Sequence, residues 1–273
     1  MDNSDKKKID LNELRIIQLD ITQAFHNYCV ENKIKYSLGC GSLLGAIRHN
    51  GYIPWDDDID VYLPRTDYEK LVQEFPSVLN GRYVFTCLER DEAWNKSYGK
   101  LYDNRTLLIE PLGKLGKQLG VNIDVYPIDY VPSNIFKWKC YDKVRRFLQN
   151  SITAKTTRLR KGRKIWINAV VVLLKMMWSI VPARKLCLFC NYFAQIFDGK
   201  ENEYMFETSQ GERVRDRFLA SAFDKVELHV FEDREFYVMS GYDEYLSKSY
   251  GDYMQLPPED KRYTHNIIDA YWL

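Results

Sequence analysis

The acidic run at residues 55–61, Trp-Asp-Asp-Asp-Ile-Asp-Val, constrains the fold more than any other stretch of the chain. The stretch from residue 58 to residue 63 overlaps this run and begins with alternating carboxylates and apolar side chains. This alternation is the pattern of a half-buried β-strand. On a strand, residues i and i+2 point to the same side, so Asp58 and Asp60 present their carboxylates together while the apolar residues between them face the core.

Two like charges at this distance are costly unless a cation lies between them. A hard divalent ion meets that need, and Mg²⁺ is the first choice, with Mn²⁺ as the alternative. A solvated loop is the simplest other interpretation of three consecutive aspartates, and the flanking alternation argues against it. An EF-hand loop beginning at Asp56 is excluded, because position six would be Val61 instead of glycine and position twelve Asp67 instead of glutamate. Asp56 and Asp57 are expected nearer the entrance turn.

Two further features are expected to meet this pair. Gly41 and Ser42 follow a short predicted strand and precede a predicted helical turn, and backbone N–H groups at such a helix start can hold a phosphate. A third carboxylate, Asp124, lies between apolar neighbours on the predicted strand 121–126, where a lone buried charge needs a partner. Asp129 is expected after that strand, as a cap or turn residue.

The remaining pattern is that of a mixed α/β protein. A hydrophobic content of 45% over 273 residues allows one large domain, or one domain with an appended lobe. A first amphipathic helix is predicted to end near Asn32, and the capping-box spacing of Thr66 and Glu69 predicts a second helix. Further strands are predicted at 82–89 and 96–102, and helices from 133 to 197. We therefore predict an α/β (α+β) fold with a mixed sheet flanked by helices in 1–132, a helical basic middle in 133–200, and a short mixed tail in 201–273 that completes the same domain.

The cysteines and the N-terminus favour a reducing, cytoplasmic setting. Six cysteines are scattered without a framework, and the first residues are polar with no apolar stretch behind them. The CxxC spacing of Cys187 and Cys190 lies in an apolar helical pattern, so we interpret it as core packing instead of a metal or redox site.

Positive charge is concentrated in one segment. Between Asp142 and Asp198 there are twelve lysines and arginines and no acidic residue. The apolar run at 165–182 is interrupted by an asparagine and a lysine, so it fits a spanning helix less well than two other placements. These are a buried helix beside a solvated basic loop, and a helix in the interface of an anionic membrane contacted through 143–197. Nucleic acid is not expected as a partner, because aromatic residues do not interleave with the basic ones as in a stacking platform.

Two segments resemble a known family. Residues 36–64, with Gly-Ser-Leu-Leu-Gly-Ala-Ile-Arg-His at 41–49 and Ile-Pro-Trp-Asp-Asp-Asp-Ile-Asp at 53–60, resemble the LicD family of phosphocholine transferases, whose wider relatives include the fukutin group. Residues 250–262, Tyr-Gly-Asp-Tyr-Met-Gln-Leu-Pro-Pro-Glu-Asp-Lys-Arg, are similar to the tail of that family. The resemblance implies a nucleotidyltransferase fold and transfer of phosphocholine from CDP-choline to a hydroxyl of a surface glycan or its lipid-linked precursor, of the lipopolysaccharide, teichoic acid or capsule type.

Carried over to this chain, the resemblance implies that Gly41 and Ser42 hold phosphate, that Asp58 and Asp60 bind the metal, and that Asp124 is the third metal ligand or the base. Further candidates are expected to neutralise phosphate, close over the nucleotide or hold choline on an aromatic face. These candidates are Arg48, Lys100, Asp252, Arg262, His265, Trp55 and Tyr126.

Three alternatives stay open. The donor can carry another CDP-linked phosphorylated alcohol. A metal-dependent glycosyltransferase also uses an Asp-x-Asp pair, although it does not require the upstream Gly-Ser or a third strand carboxylate. A non-catalytic scaffold that binds a partner through 143–197 is the third, and the repulsion among three acids argues against it.

Overall fold

The structure is a computed structural model of the 273-residue chain. It describes residues 6–109, 118–157, 164–198, 202–210, 217–262 and 269–273. The helices in these ranges are α1 (Leu11–Glu31), α2 (Cys40–His49), α3 (Arg65–Glu74), α4 (Ile135–Thr156), α5 (Ile165–Met177), α6 (Ala183–Ala194) and α7 (Tyr242–Tyr250). The strands are β1 (Lys8–Ile9), β2 (Ser37–Leu38), β3 (Asp60–Pro64), β4 (Tyr83–Thr86), β5 (Gly99–Asp103), β6 (Thr106–Ile109), β7 (Asn122–Val131), β8 (Tyr204–Glu207), β9 (Phe218–Leu219), β10 (Val226–Phe231), β11 (Arg234–Met239) and β12 (Asp269–Trp272).

The central element of the fold, in the residues that the structure describes, is a mixed sheet of seven strands. Its order is β2-β3-β7-β5-β4, and β8 and β9 extend it from β7. β3 runs parallel to β7, whereas β2, β5 and β8 join their neighbours in antiparallel pairs. The long β7 pairs with β3 and β5 through its first half and with β8 through its second half, so it links the N-terminal strands to the later part of the chain. The α/β (α+β) prediction is confirmed.

Helix α1 follows from its amphipathic sequence. Ile17, Ile21 and Phe25 recur at helical spacing and are buried in the main core, where each contributes about 1.5–3 kcal/mol. Asp10 caps the helix, because its carboxylate accepts a hydrogen bond from the Glu13 backbone N–H at 2.8 Å. The helix ends within one residue of the predicted position.

Three local predictions are wrong. β3 begins at Asp60, so Asp58 lies before the strand instead of in it. α3 begins directly after Pro64 without a side-chain cap, so Thr66 is inside the helix and forms no capping box. Asp129 lies within β7 and is fully buried. Its buried charge is compensated by the Arg65 guanidinium, 2.5 Å from the carboxylate. In addition, β6 was not predicted.

The later part of the chain packs onto the same sheet. β10 and β11 form an antiparallel hairpin, and the Met239 backbone N–H donates to the Ser37 hydroxyl on β2 at 2.8 Å. The last strand, β12, lies between β1 and β6 in a separate three-stranded sheet.

In the described residues of the basic middle segment there are three α-helices, α4, α5 and α6. Cys187 and Cys190 are buried on α6 in a small apolar core, and burial raises the pKa of each thiol to about 12, which agrees with a packing role. On α5 only Val171 is buried, so a buried helix is excluded for this segment. In the part of the chain that the structure describes, no helix is both long and apolar enough to cross a membrane.

Candidate active site

Helix α2 is tied to the beginning of β3 by two hydrogen bonds. The Gly39 backbone N–H donates to the Asp60 carbonyl at 2.8 Å, and the Asp60 N–H donates to the Ser42 hydroxyl at 2.9 Å. Ser42 is 4% exposed, so its hydroxyl faces the protein and fixes the strand. Gly41, one residue earlier, lines an open cleft at the first turn of the helix. The predicted Gly-Ser pair therefore divides into a residue that faces the cleft and a residue that supports it.

The turn before the acidic run is held by α1. The Asp56 backbone N–H donates to the Ile53 carbonyl at 2.8 Å, which closes a turn through Pro54. The Arg15 guanidinium donates to the Asp56 carbonyl at 2.5 Å, and the Gln18 amide donates to the Asp57 carbonyl at 3.0 Å. The backbone of the acidic run is thus fixed by side chains from another element.

This turn places Asp56 in the site. A Cβ atom at Gly41 would lie 2.6 Å from Asp56 Oδ2, so glycine is required for this close approach. The carboxylates of Asp56, Asp57 and Asp58 offer oxygens within 4.8 Å of one another. Strand alternation predicts only Asp58 and Asp60 as the metal-binding pair and leaves Asp56 out. Pro54, a residue type that is common at the second position of a turn, is the sequence signal for the turn that brings Asp56 into the site.

Negative charge accumulates around Asp58. Burial, the neighbouring Asp56 carboxylate and then Asp124 raise the pKa of Asp58 to about 7, while Lys100 opposes the rise. Burial likewise raises the pKa of Asp56. Desolvated carboxylates in one place are the electrostatic signature of a functional site and favour a bound cation.

Three strands align a cation and two acids. Asp60 on β3 is the register partner of Asp124 on β7, which is the register partner of Lys100 on β5. Residues opposite each other in register share a face of the sheet. The Lys100 ammonium lies 2.5 Å from the Asp124 carboxylate, which also accepts the Tyr126 hydroxyl at 2.9 Å. The Asp124 carboxylate therefore has a cation and a hydroxyl as partners.

The carboxylates of Asp56, Asp58 and Asp60 border a cleft of about 1200 Å³. Eight of the predicted residues line it: Gly41, Arg48, Trp55, Asp58, Asp60, Tyr126, Asp252 and Arg262. Ser42, Lys100 and Asp124 do not line it but contact residues that do or each other, since Ser42 accepts the Asp60 N–H and Asp124 pairs with Lys100 and accepts the Tyr126 hydroxyl. His265 lies outside the described residues.

The segment 250–262 closes one side of the cleft through two arginines. Arg48 donates to the carbonyl of Tyr253 at 2.8 Å, and burial lowers the pKa of its guanidinium. The Arg262 guanidinium lies over the Trp55 ring, 5.5 Å from the centroid. Both arginines therefore join the tail to the residues around the acidic run, and sequence reasoning did not predict the backbone contacts of Arg48.

Comparison with known proteins shows the family to which the chain belongs. The model of the LicD/FKTN/FKRP nucleotidyltransferase domain matches residues 33–160. The lipopolysaccharide cholinephosphotransferase LicD of Haemophilus influenzae is 32% identical over 280 residues, covering 98% of this chain and 100% of the relative. An uncharacterised protein of Rickettsia prowazekii is 45% identical over 51 residues, 19% of each chain, and another of Rickettsia typhi is 30% identical over 92 residues, 31% of this chain and 30% of the relative. The chain therefore belongs to the LicD family and is a phosphotransferase.

Proposed function

We propose that this enzyme transfers phosphocholine from CDP-choline to a hydroxyl of a cell-surface glycan or its lipid-linked precursor. The observation that carries the proposal is similarity over the full length of a lipopolysaccharide cholinephosphotransferase, in a chain whose acidic cleft contains Asp58 and Asp60. Lipopolysaccharide is the acceptor class that this relative favours, and teichoic acid and capsule are the other members of the proposed class.

The donor set fits a hard divalent cation. Asp56 and Asp58 have their carboxylates in contact, both are buried enough to raise their pKa, and Asp60 lines the same cleft. Oxygen ligands in this number suit Mg²⁺, with Mn²⁺ as the alternative. We propose that these three residues hold the ion, which would neutralise the charge that develops on the pyrophosphate of the donor.

The proposed transfer replaces a phosphoanhydride bond of the donor with a phosphate ester bond to the acceptor. The acceptor oxygen forms a bond to the phosphorus that carries choline, the bond from that phosphorus to the bridging oxygen of the pyrophosphate breaks, and CMP leaves with this oxygen. The proton of the acceptor hydroxyl passes to the Asp124 carboxylate. The Tyr126 hydroxyl orients this carboxylate by donating a hydrogen bond to its Oδ2 at 2.9 Å. Backbone N–H groups at the start of α2, beside Gly41, hold the donor phosphate.

Trp55 is the proposed contact for choline. A quaternary ammonium is attracted to the face of an aromatic ring, and tryptophan is the strongest such partner. Trp55 borders the cleft, directly before the acidic residues 56–58 in sequence. Its ring also packs against the Arg262 guanidinium, 5.5 Å from the centroid, which choline binding on that face would displace.

The test is release of CMP from CDP-choline by the purified full chain, with lipid-free oligosaccharide of Haemophilus influenzae lipopolysaccharide as acceptor. Asp58→Asn and Asp60→Asn are expected to lower kcat/KM at least 100-fold, because each removes a charge that neutralises the ion. The exposed Asp233→Asn serves as the matched control. Chelation by EDTA should abolish release, and Mg²⁺ or Mn²⁺ should restore it. Full activity of either cleft variant would contradict the site.

Two competing classes of donor are tested in the same assay. CDP-ethanolamine and CDP-ribitol report on transfer of another phosphorylated alcohol, and UDP-glucose reports on glycosyl transfer. We expect CDP-choline to give the highest kcat/KM. Faster release of CMP from another CDP-alcohol would change the proposed donor, and release of UDP alone would replace the proposed reaction.

We also propose that the enzyme acts on the cytoplasmic face of an anionic membrane, contacting it through residues 143–197. Side chains at both ends of the α5 region are strongly exposed, with Ile165 at 88%, Trp166 at 64% and Ile180 at 95%. Lys164 and Lys175 flank or interrupt this apolar surface, and the whole segment lacks acidic residues. An apolar surface edged with cations is complementary to anionic headgroups above an acyl layer.

Vesicle sedimentation tests this contact. The wild-type chain should bind vesicles of phosphatidylglycerol and phosphatidylcholine more strongly than vesicles of phosphatidylcholine alone. Ile165→Ser together with Ile180→Ser should weaken binding to both, because the inserted apolar area is lost. Leu228→Ser, at an exposed position on β10, is the control. Equal binding by the double variant and the control would rule out this surface, and self-association without vesicle binding would assign it to a second copy.

A further inference from the structure

A second cavity of about 370 Å³ lies beside the cleft. Its walls are the loop before β5 (residues 95–98), the C-terminal turns of α4 (149–157) and residues 209–210 after β8. Its volume falls within the range of about 300–1,000 Å³ that is typical of small-molecule sites. The roles proposed above for CDP-choline and the ion do not use it.

The chemistry of this cavity differs from that of the cleft. Among the described residues, its lining contains hydroxyl and amide side chains and one cation, Lys96, but no carboxylate. On α4, Gln149, Thr153 and Thr156 are spaced so that they share a helix face. The Thr153 hydroxyl donates to the Gln149 carbonyl at 3.1 Å, which leaves its oxygen able to accept another hydrogen bond. A helix face of this kind is suited to a ligand with many hydroxyl groups.

Two contacts connect the cavity to the cleft. Gln210 lines both spaces, and the Arg145 guanidinium fixes its backbone by donating to its carbonyl. Tyr98 lines the cavity, and its ring centroid lies 4.6 Å from that of Tyr126. The Tyr126 hydroxyl in turn donates to Asp124, so the rings of Tyr98 and Tyr126 connect the cavity to the carboxylate proposed to receive the acceptor proton.

We propose that this cavity binds an uncharged sugar unit of the acceptor, an inference that rests on the proposed function for its role in catalysis. A sugar hydroxyl both donates and accepts hydrogen bonds, as the amide and hydroxyl groups here do. The Tyr98 ring borders the cavity, and the Lys96 ammonium, 5.3 Å from its centroid, adds a hydrogen-bond donor for sugar oxygens. In the part of the lining that the structure describes there is no carboxylate, which distinguishes this site from the ion-binding cleft.

The binding test uses sugars alone. Methyl glycosides of glucose, galactose, N-acetylglucosamine and N-acetylgalactosamine, and the oligosaccharide described above, are offered to the full chain in saturation-transfer difference NMR. We expect at least one of them to receive magnetisation from the wild type. The signal should be lost in Thr153→Trp, which fills the cavity from an exposed helix position, and reduced in Gln210→Ala. Lys143→Trp, on an exposed position of the same helix outside the cavity, should keep it. No signal from any of these sugars with the wild type, or an undiminished signal in both cavity variants, would overturn the proposal.

The kinetic test separates the two substrates. Thr153→Trp is expected to raise the KM for the oligosaccharide at least tenfold and to change the KM for CDP-choline less than twofold, with circular dichroism confirming the fold. An unchanged oligosaccharide KM in this variant would contradict the sugar site. A wild type that binds the glycoside through Thr153 but releases no CMP from CDP-choline would contradict the proposed function while supporting the sugar site.

Discussion

Asp56 shows how one turn changes the membership of the site. Alternation assigns side chains to faces only while the backbone is a strand, and the chain is not a strand before Asp60. The turn from Ile53 to Asp56 returns this carboxylate to the first turn of α2, against Gly41. The acidic run therefore supplies the cleft with one carboxylate more than the alternating pair.

Gly41→Ala is predicted to lower activity more than stability. Its Cβ would lie 2.6 Å from Asp56 Oδ2, and the carboxylate can rotate away at a cost of about 0.5–1.5 kcal/mol, but it then leaves the proposed ion site. We expect kcat/KM for CDP-choline to fall at least tenfold, measured by CMP release, while thermal unfolding shows the small stability loss.

A double variant provides the control for this prediction. If the loss arises from displacement of Asp56, then Gly41→Ala should cost little further activity when it is added to Asp56→Ala, because the conflict is gone. Additive losses in the double variant would show that Gly41 acts through something other than Asp56.

At the scale of elements, β7 carries charges of two different kinds. Asp124 is the proposed proton acceptor, and its carboxylate contacts the Lys100 ammonium and the Tyr126 hydroxyl. Asp129, further along the strand, is fully buried and accepts two hydrogen bonds from Arg65, at 2.5 and 2.8 Å, and one from the Thr208 hydroxyl. The second group joins β7 to α3 and to the chain after β8, so it is structural.

Arg65→Met is predicted to destabilise the fold by about 3–5 kcal/mol, because it leaves the buried Asp129 carboxylate without its cation. Denaturant unfolding measures the change. The control is Arg234→Met, which breaks a partly exposed pair with Asp20 and should cost no more than about 1 kcal/mol. Equal losses in the two variants would mean that burial does not determine the strength of these pairs.

The pH dependence of stability is predicted to depend on Asp198. Burial and the nearby Asp129 raise the pKa of Asp198 to about 7, whereas in the unfolded chain it is about 3.9. Between these values the folded state holds the proton and the unfolded state does not, so the free energy of unfolding falls as pH rises from about 4 to about 7.

Asp198→Asn should flatten this dependence and raise the melting temperature at pH 7 and above, because the amide oxygen can still accept the Tyr130 N–H. Melting curves from pH 4 to pH 8 measure the effect. Asp233→Asn, at an exposed site, should leave the slope unchanged. A wild-type slope in Asp198→Asn would refute the assignment.

At the scale of the whole molecule, distant parts of the chain complete the cleft. Arg48 on α2 donates to the carbonyls of Tyr253 and Gln255, 2.8 and 3.4 Å away. Arg262 donates to the Pro257 carbonyl at 2.8 Å while it packs on Trp55. These contacts hold the segment 250–262 beside the acidic run, although the two are more than 180 residues apart in sequence.

Arg48→Met is predicted to raise the KM for CDP-choline about tenfold with a smaller effect on kcat, because the tail loses its anchor and the donor pocket loses a wall. Steady-state CMP release separates the two parameters. Lys70→Met, which removes a cation that donates to the Asn32 carbonyl far from the cleft, is the control. A fall in kcat with unchanged KM would instead place Arg48 in the chemical step.

The local elements around the site were predictable because short-range periodicity encodes them. Apolar residues at helical spacing specified α1, and the alternation that starts at Asp58 predicted a strand, which in the structure begins at Asp60. The isolated acid between Ile123 and Val125 specified that Asp124 needed a partner. The LicD family could also be recognised from the motifs at 36–64, because these motifs are contiguous in sequence.

Tertiary structure alone decided which of these groups meet. Strand register across β5, β7 and β3 aligned Lys100, Asp124 and Asp60, and register depends on pairings between residues far apart in sequence. The same is true of the tail over the cleft and of the exposed α5, whose apolar composition suits a core as well as a surface. The sequence by itself determined the elements and the chemistry they carry, whereas the assembly of the site depended on long-range packing, whose free energy is a property of the whole chain.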